Sequence, residues 1–308
     1  METPLSFWIG FNAIVLALLA FDLCVLHREK RAISVMESLL TTLGWITLAV
    51  GFGVWVTYEN GLGTGLNFFT GYVIEYSLSM DNIFIFVLVF ASFKVAAEQQ
   101  HRLLFWGVIG ALVMRGLMIW GGAALLHKFE WVIYLFGAYI LYAGVKMLSH
   151  KPDVEVEKML VVRLARRFLP LSSRSEGDHF VVCENGKLKF TLLFLVLVVV
   201  EMTDLIFALD SIPAIFGVTR DPFIVYTSNV CAILGLRSLY FLLAGAVKSL
   251  VYLHVGLACV LIFIGGKMVT EGFYPLSTET SLIVVGGILG TAVAVSLLKS
   301  RRILLKKA

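Results

Sequence analysis

Charged residues are scarce in this sequence. Only 15% of its 308 residues are Asp, Glu, Lys or Arg, whereas 59% are hydrophobic, and soluble domains usually carry about 25% charged residues. A chain this apolar cannot hide its hydrophobic side chains inside one soluble core. The composition therefore excludes an ordinary soluble domain and predicts a protein that is solvated largely by the lipid bilayer.

Cysteine and histidine are also few, and neither forms a pattern of metal ligands. The four cysteines contain no CxxC pair, so we expect no disulfide and no thiolate metal site. All six histidines lie in predicted loops or near the ends of predicted membrane spans. Their placement argues against Zn²⁺ or Cu²⁺ as the main substrate.

Long apolar runs are present instead. Nine segments approach or exceed the roughly 20 residues that a helix needs to cross hydrocarbon, and the ten-residue alternation of membrane β-barrels is missing. We therefore predict an all-α membrane protein with about nine transmembrane helices. The predicted spans are Leu5–Leu26, Glu37–Val56, Leu66–Phe93, Leu103–Leu126, Trp131–Leu148, Phe190–Val218, Phe223–Val247, Val251–Val269 and Ser281–Leu298.

Basic residues are distributed unevenly between the two sides of these spans. With the N-terminus outside, 20 of the 25 Lys and Arg residues fall on the inner side. Only Lys128, Arg220 and Lys267 fall outside, and Arg115 and Arg237 lie within spans. Because cytoplasmic loops are enriched in basic residues, we predict an external N-terminus and a cytoplasmic C-terminus.

Two groups of three spans resemble each other. The matched residues of the first and second halves are Glu75 with Asp204, Asp81 with Asp210, Arg115 with Arg237, Gly144 with Gly265 and Lys146 with Lys267. Because each unit has an odd number of spans, the second copy must be inverted relative to the first. Inverted repeats with a substrate site near the bilayer midplane are typical of secondary transporters.

The predicted organisation has five parts. Residues 1–65 hold two transmembrane helices, 66–148 the first repeat (spans 3–5), 149–189 a cytoplasmic loop, 190–270 the second repeat (spans 6–8), and 271–308 the last transmembrane helix with a basic cytoplasmic tail.

The long loop contains two local signals. Residues 156–169 place three arginines among apolar residues. They are compatible either with a basic helix on the anionic inner leaflet or with a solvated linker helix. The dipeptide Asn185-Gly186 between apolar residues predicts a hairpin.

Six acidic residues fall within predicted spans, where a charge at the bilayer centre costs at least ~2.5–3.5 kcal/mol. They are Asp22, Glu75, Asp81, Glu201, Asp204 and Asp210. They must face the interior of the bundle, neutralised by protons, by a bound cation, or by Arg115 and Arg237. We expect these two arginines to compensate charge rather than to touch substrate. The two arginines can neutralise only two of the six acids. The negative charges that remain, about four, favour a divalent cation together with proton exchange.

The spacing within each acidic motif predicts a broken helix. Residues six apart on a regular helix point roughly 120° away from each other, so the backbone must unwind for both acids of a motif to reach one ion. The length of spans three and six, and Pro213, favour such breaks. Glu201 and Asp204, three residues apart, share a face without any break.

Further polar groups near the acids suit a hard cation. The possible additional ligands or supporting residues are Asp22, Ser79, Asn82, Glu201, Thr203 and Ser211. Carboxylate, amide and hydroxyl oxygens are preferred by Mg²⁺, Ca²⁺ and Mn²⁺. For two of these acids a structural role, instead of metal binding, stays open. Asp22 could be solvated or pair with Arg28, and Glu201 could form a salt bridge with an arginine.

The sequence resembles the TerC family of integral membrane proteins, particularly its Alx-type members. The segments that carry the resemblance are 21–23, 70–75, 79–82, 184–187, 201–215, 221–229 and 232–241. The resemblance implies a bacterial inner-membrane (plasma-membrane) protein of the LysE-like transporter superfamily. It also implies a link to manganese export and to tellurium-stress or alkaline-pH phenotypes. The family's acidic motifs are the expected metal site, which maps onto Glu75, Asp81, Asp204 and Asp210.

The expected function is export of a divalent cation, Mn²⁺ before Ca²⁺ or Mg²⁺, with protons as the possible counter-ion. Export rather than import rests on the resemblance alone. Four carboxylates are a poor site for an oxyanion, so tellurite is not expected as the direct substrate. The expected partners are the lipid bilayer, the cation and protons; we expect no prosthetic group and no nucleic acid, and protein partners stay open.

Two other classes of function could use buried acids. A membrane accessory protein that loads metal into exported enzymes or assists assembly could share the same metal site. An intramembrane aspartyl protease using Asp81 and Asp210 is disfavoured, because the chain lacks a GxGD motif. We therefore expect no enzymatic activity.

Overall fold

The computed structural model describes residues 4–22, 35–149, 160–172, 179–184, 186–244, 252–274 and 276–307. This part of the chain is mostly helical, as predicted. The helices are α1 Leu5–Phe21, α2 Val35–Asn60, α3 Leu62–Ser92, α4 Ala97–Lys128, α5 Val132–Ser149, α6 Leu160–Phe168, α7 Leu192–Phe216, α8 Pro222–Leu234, α9 Leu236–Leu243, α10 Leu253–Thr270 and α11 Thr278–Lys307. The strands are β1 Val181–Glu184 and β2 Lys187–Phe190.

Seven of the described helices are long and apolar enough to cross a membrane: α2, α3, α4, α5, α7, α10 and α11. Helices α8 and α9 are bent by 41° at Gly235 and together make an eighth candidate span. Helix α1 is apolar but has 17 residues. The multi-pass helical architecture is confirmed, whereas the described residues give seven or eight spans where nine were predicted.

The predicted unwinding of spans three and six is wrong. Helix α3 is continuous across the first acidic motif, and α7 is continuous across the second, with Pro213 in its last turn. A proline this close to a helix end removes one backbone hydrogen bond without breaking the rest of the helix. The break lies instead at Gly235, in the seventh predicted span and just before Arg237.

Close contacts fix how the two halves pack. Helix α3 packs on α7 and α8, and α4 packs on α7. Asn82 of α3 forms a hydrogen bond with Asp204 of α7. A Cβ added at Gly71, eleven residues before Asn82, would lie 3.2 Å from Ile215, which is eleven residues after Asp204. Because the contact position moves toward the start of α3 as it moves toward the end of α7, the two helices run antiparallel.

Glycines bring α5 and α10 together. A Cβ at Gly265 would lie 2.5 Å from the backbone nitrogen of Leu141, and one at Gly144 would lie 2.9 Å from the carbonyl oxygen of Ala258. Small residues let membrane helices approach this closely. Gly144 and Gly265 are the glycines matched between the two halves, so the sequence match marks a helix–helix contact.

Gly265→Ala should lower the free energy of unfolding by about 1–3 kcal/mol, because its methyl group would collide with backbone atoms of α5. The neighbouring Gly266→Ala is a matched control, since nothing lies within 4 Å of a Cβ at that position. Thermal unfolding of the purified protein in detergent measures the difference. Equal unfolding temperatures for the two variants would contradict this packing.

The predicted hairpin is confirmed. Strand β1 pairs antiparallel with β2, with Glu184 opposite Lys187. Gly186 in the turn has φ +72°, a conformation that glycine adopts without the penalty other residues incur.

Helix α6 lies within the predicted basic segment but covers a shorter range. It packs on α7 and buries Val162 and Ala165, while Phe168 is 75% exposed. The membrane-surface and linker interpretations of this segment stay predictions.

Candidate functional site

Arg115 lies at the centre of a buried ionic cluster. It is 1% exposed and belongs to α4, between Ala111 and Ile119, which are members of two different apolar clusters. Burying a guanidinium group in such surroundings costs several kcal/mol unless it is paired. Its partners must therefore come from neighbouring helices.

Two acids supply the pairing. Asp204 on α7 accepts hydrogen bonds from Arg115 Nε at 3.0 Å and from Nη2 at 2.9 Å, the bidentate geometry that makes such pairs strong. Glu75 on α3 accepts from Arg115 Nη1 through Oε1. Both acids are buried. With both ionised, two carboxylates share one guanidinium and leave one net negative charge.

Amide and hydroxyl groups complete the network. Asn229 on α8 accepts from Arg115 Nη1 at 3.3 Å and donates from Nδ2 to Glu75 Oε2 at 2.9 Å. Ser79 donates to Glu75 Oε1 at 3.4 Å, and Asn82 donates from Nδ2 to Asp204 Oδ1 at 3.1 Å. We call this set the Arg115 cluster: Glu75, Ser79, Asn82, Arg115, Asp204 and Asn229.

Asn229 is the member that sequence reasoning missed. It is 0% exposed and lies in α8, outside both acidic motifs. A single asparagine in an apolar span is nevertheless a usable signal, because polar groups within the membrane are costly and usually functional.

Asp210 does not join the cluster. Its carboxyl group interacts with the Tyr139 hydroxyl and the Lys146 ammonium, both on α5. Helix geometry explains this, because on an unbroken helix the residue six after Asp204 points away from it, whereas Ser211, seven after, returns to the same face.

The structure therefore brings two of the four predicted metal ligands together. Asp81 lies in α3, but its side chain is outside the described part. Among the side chains that are described, no group of three or more His, Cys, Asp or Glu residues is placed to hold a metal ion. The role of Glu75, Asp81, Asp204 and Asp210 in binding metal stays a prediction.

A second buried ion pair involves Arg237 on α9. Its Nη2 donates to Asp22 Oδ2 at 2.7 Å, and the two side chains are 6% and 8% exposed. Asp22 is therefore buried and paired with Arg237 rather than solvated. The predicted alternative, a pair with Arg28, lies outside the described residues. The pair joins the end of α1 to the span that bends at Gly235.

A small cavity lies between the two ion pairs. Its lining includes Glu201, Asp204 and Arg237 together with apolar side chains such as Phe86. Glu201 packs against α4, where a Cβ added at Gly110 would collide with its carboxylate. Among the described groups, none forms a hydrogen bond with Glu201 Oε2, so the structure shows Glu201 beside the cluster rather than within its hydrogen-bond network.

Thr203, one of the residues predicted as additional ligands or supporting groups, uses its hydroxyl locally. It donates to the carbonyl oxygen of Val199 at 2.7 Å, a bond within α7. This hydroxyl is therefore directed along its own helix rather than toward Arg115.

Comparison with known proteins identifies the family. The family described as "Integral membrane protein TerC family" matches residues 61–304. A membrane protein of Myxococcus xanthus is 48% identical over 295 residues, which cover 96% of this chain and 92% of that protein. A protein of Escherichia coli K12 named membrane-bound redox modulator Alx is 44% identical over 297 residues, which cover 93% of this chain and 92% of that protein.

A Rickettsia felis membrane protein is 39% identical over 298 residues, which cover 96% of this chain and 99% of that protein. No solved structure matches the chain. The family match includes every member of the Arg115 cluster, and it confirms the resemblance found in the sequence. The chain belongs to the TerC family of integral membrane proteins.

Proposed function

We propose that this protein transports a divalent cation, Mn²⁺ before Ca²⁺ or Mg²⁺, through the Arg115 cluster in exchange for protons. One observation carries the proposal: two buried acids from different halves of the chain share a single arginine. One negative charge is left over, and an unbalanced charge in hydrocarbon costs at least ~2.5–3.5 kcal/mol. A cation or a proton must balance it.

The donor atoms of the cluster favour a hard cation. They are carboxylate, amide and hydroxyl oxygens, which Mn²⁺, Mg²⁺ and Ca²⁺ prefer. The redox role in the name of the Escherichia coli relative finds less support here. The described cysteines are free thiols, with Cys183 exposed and Cys231 and Cys259 half-buried, whereas the buried reactive groups at the centre are carboxylates.

Helix directions support the inverted repeat. Helices α3 and α7, the matched first helices of the two units, run antiparallel through the contacts of Asn82 and Gly71. Helices α5 and α10, the matched third helices, also run antiparallel, because Gly144 approaches Ala258 while Gly137 approaches Met268. Transporters with inverted repeats bind substrate where the repeats meet, and Glu75 and Asp204 belong to the first helices of the two predicted units and share Arg115. The external N-terminus, the bacterial inner membrane and export remain part of the proposal.

Cation binding must compete with Arg115. Both oxygens of Asp204 and one oxygen of Glu75 accept hydrogen bonds from its guanidinium. An incoming cation therefore has to share or replace some of these bonds. We expect the guanidinium to move away from at least one acid when the cation binds, so that Arg115 acts as a tethered counter-ion.

Flux into proteoliposomes that contain a Mn²⁺-sensitive dye tests the proposal. Glu75→Gln and Asp204→Asn keep the shape of each side chain and remove its charge, so each should reduce saturable flux by at least about tenfold. Glu130→Gln is a matched control, because Glu130 is an exposed acid outside the helices. Wild-type flux should also increase from about pH 6 to about pH 9, since protons and metal compete for carboxylates.

Two outcomes would count against transport. One is wild-type vesicles without Mn²⁺ flux, and the other is flux that both charge-removing variants leave unchanged. Either result would favour the accessory-protein alternative, in which the chain loads metal into exported enzymes or assists membrane-protein assembly. Crosslinking through residues 149–189 would then be the way to capture its partner.

A further inference from the structure

Asn82 uses only half of its amide group. Its Nδ2 donates to Asp204, whereas its Oδ1 has no partner among the described groups, although the residue is 1% exposed. Turning the amide round would place its oxygen against the Asp204 carboxylate. Asn229 in the same cluster uses both its nitrogen and its oxygen. A buried carbonyl left without a donor is destabilising, so its presence beside an acid requires a reason.

Ser211 shows the same property in the second half of the chain. It is 2% exposed, and its hydroxyl has no partner among the described groups. Other buried hydroxyls of these spans, such as those of Thr203 and Thr227, donate to the carbonyl oxygen four residues earlier. Ser211 is also the counterpart of Asn82, since each directly follows the aspartate of its acidic motif.

The register of α3 and α7 places each of these two residues opposite an acidic residue of the other helix. The two helices run antiparallel with Asn82 against Asp204. Glu75 lies seven residues before Asn82, and Ser211 lies seven residues after Asp204, which is close to two helical turns in both cases. The same register therefore puts Ser211 opposite Glu75.

We propose that Asn82 Oδ1 and Ser211 Oγ are neutral ligands of the transported divalent cation. This assignment rests on the proposed function and names which oxygens join the two acids. Hard divalent cations take about six or more oxygen ligands, more than Glu75 and Asp204 supply at one oxygen each. Neutral oxygens raise the coordination number without adding a further buried charge.

Equilibrium binding of Mn²⁺ to the full-length protein in detergent tests the role of Asn82. Asn82→Leu keeps the approximate size and removes the oxygen, so the Kd should rise by at least about tenfold. Asn82→Asp restores an oxygen but cannot donate to Asp204, and its Kd should stay within about threefold of wild type. If Asn82 only positioned Asp204 through its nitrogen, Asn82→Asp would bind as weakly as Asn82→Leu, and that result would overturn the assignment.

Ser211→Cys provides a test that does not depend on a large substitution. Replacing a hard oxygen ligand by a soft sulfur should shift the preference from Mn²⁺ toward Cd²⁺ by at least about tenfold. A residue with a merely structural role would leave the ratio of the two Kd values unchanged. This variant decides the question if Asn82→Leu fails to fold, which thermal unfolding in detergent would reveal.

Asn12→Leu is the matched control for Asn82→Leu. Asn12 also lies in an apolar helix, but its amide is fully used: Nδ2 donates to the Trp8 carbonyl at 2.9 Å and Oδ1 accepts from the Tyr226 hydroxyl at 2.7 Å. Its replacement should leave the Kd for Mn²⁺ unchanged. Wild-type protein that binds no Mn²⁺ would reject the proposed function itself. Normal wild-type binding with unaltered Asn82→Leu and Ser211→Cys would reject only the two neutral ligands.

Discussion

Arg115→Leu should lower the free energy of unfolding by about 3–5 kcal/mol, the largest loss of stability that we expect from one substitution. The variant removes the cation from the Arg115 cluster and leaves Glu75 and Asp204 buried without it. Amide donors from Asn82 and Asn229 remain, but they carry no charge. Removing one partner of a buried ion pair is costly because the other charge is stranded away from water.

Neutralising the stranded acids should reverse most of this loss. The triple variant Arg115→Leu, Glu75→Gln, Asp204→Asn contains no unpaired charge in the cluster, so it should be more stable than Arg115→Leu alone. Unfolding in detergent micelles, by heat or denaturant, compares the variants on one scale. A triple variant no more stable than the single one would show that Arg115 acts by filling space rather than by its charge.

Arg115→Lys separates charge from geometry. Lysine keeps the positive charge, but its ammonium cannot form the bidentate bond that Arg115 makes with Asp204. We therefore expect a stability between those of wild type and Arg115→Leu. Stability equal to wild type would mean that the bidentate geometry contributes nothing.

The membrane class and the charged members of the two buried ion pairs follow from the sequence, because each prediction depends on an energetic cost that applies to single residues. A charge within hydrocarbon is expensive wherever it occurs, so Glu75, Asp204, Arg115 and Arg237 could be singled out without knowledge of the fold. The hairpin at Gly186 could also be predicted, because its turn depends only on residues that are neighbours in the sequence.

The partners within the clusters could not be predicted, because they depend on how distant helices pack. Asp22 and Arg237 are far apart in sequence and meet only when α1 lies near α9. Asn229 joins Glu75 from α8. Neither contact leaves a periodic pattern in either segment, since each partner is a single polar residue among apolar ones.

The error about broken helices has a physical origin. Both acids of a motif could face one ion only if the backbone between them unwound, and Pro213 is a residue that favours such a break. An unbroken helix instead brings the seventh residue back to the same face. In α7 that residue is Ser211. A neutral hydroxyl oxygen, rather than the second acid of the motif, therefore lies on the same face of the helix as Asp204.

The second large effect concerns the ion pair between Asp22 and Arg237. Arg237→Gln should lower the free energy of unfolding by roughly 3 kcal/mol, the lower end of the range for breaking a buried ion pair. The lower end applies because the side chains of Arg237 and Asp22, 6% and 8% exposed, are less completely buried than those of Arg115 and Glu75, 2% and 1% exposed. Reversing the charges with Asp22→Arg and Arg237→Asp should recover much of this loss, since the two groups would still meet. A double-mutant cycle of wild type, Asp22→Arg, Arg237→Asp and the double variant, measured by unfolding in detergent, gives the coupling energy directly.

Transport should respond to the same pair even in folded protein. Arg237 follows the bend at Gly235 and lines the cavity that also contains Glu201 and Asp204. Releasing it from Asp22 should therefore loosen the span next to the Arg115 cluster and reduce Mn²⁺ flux by about tenfold or more, with recovery in the charge-reversed double variant. Additive effects of the two single substitutions on both stability and flux would mean that the pair is not coupled, and that α1 does not hold the bent span in place.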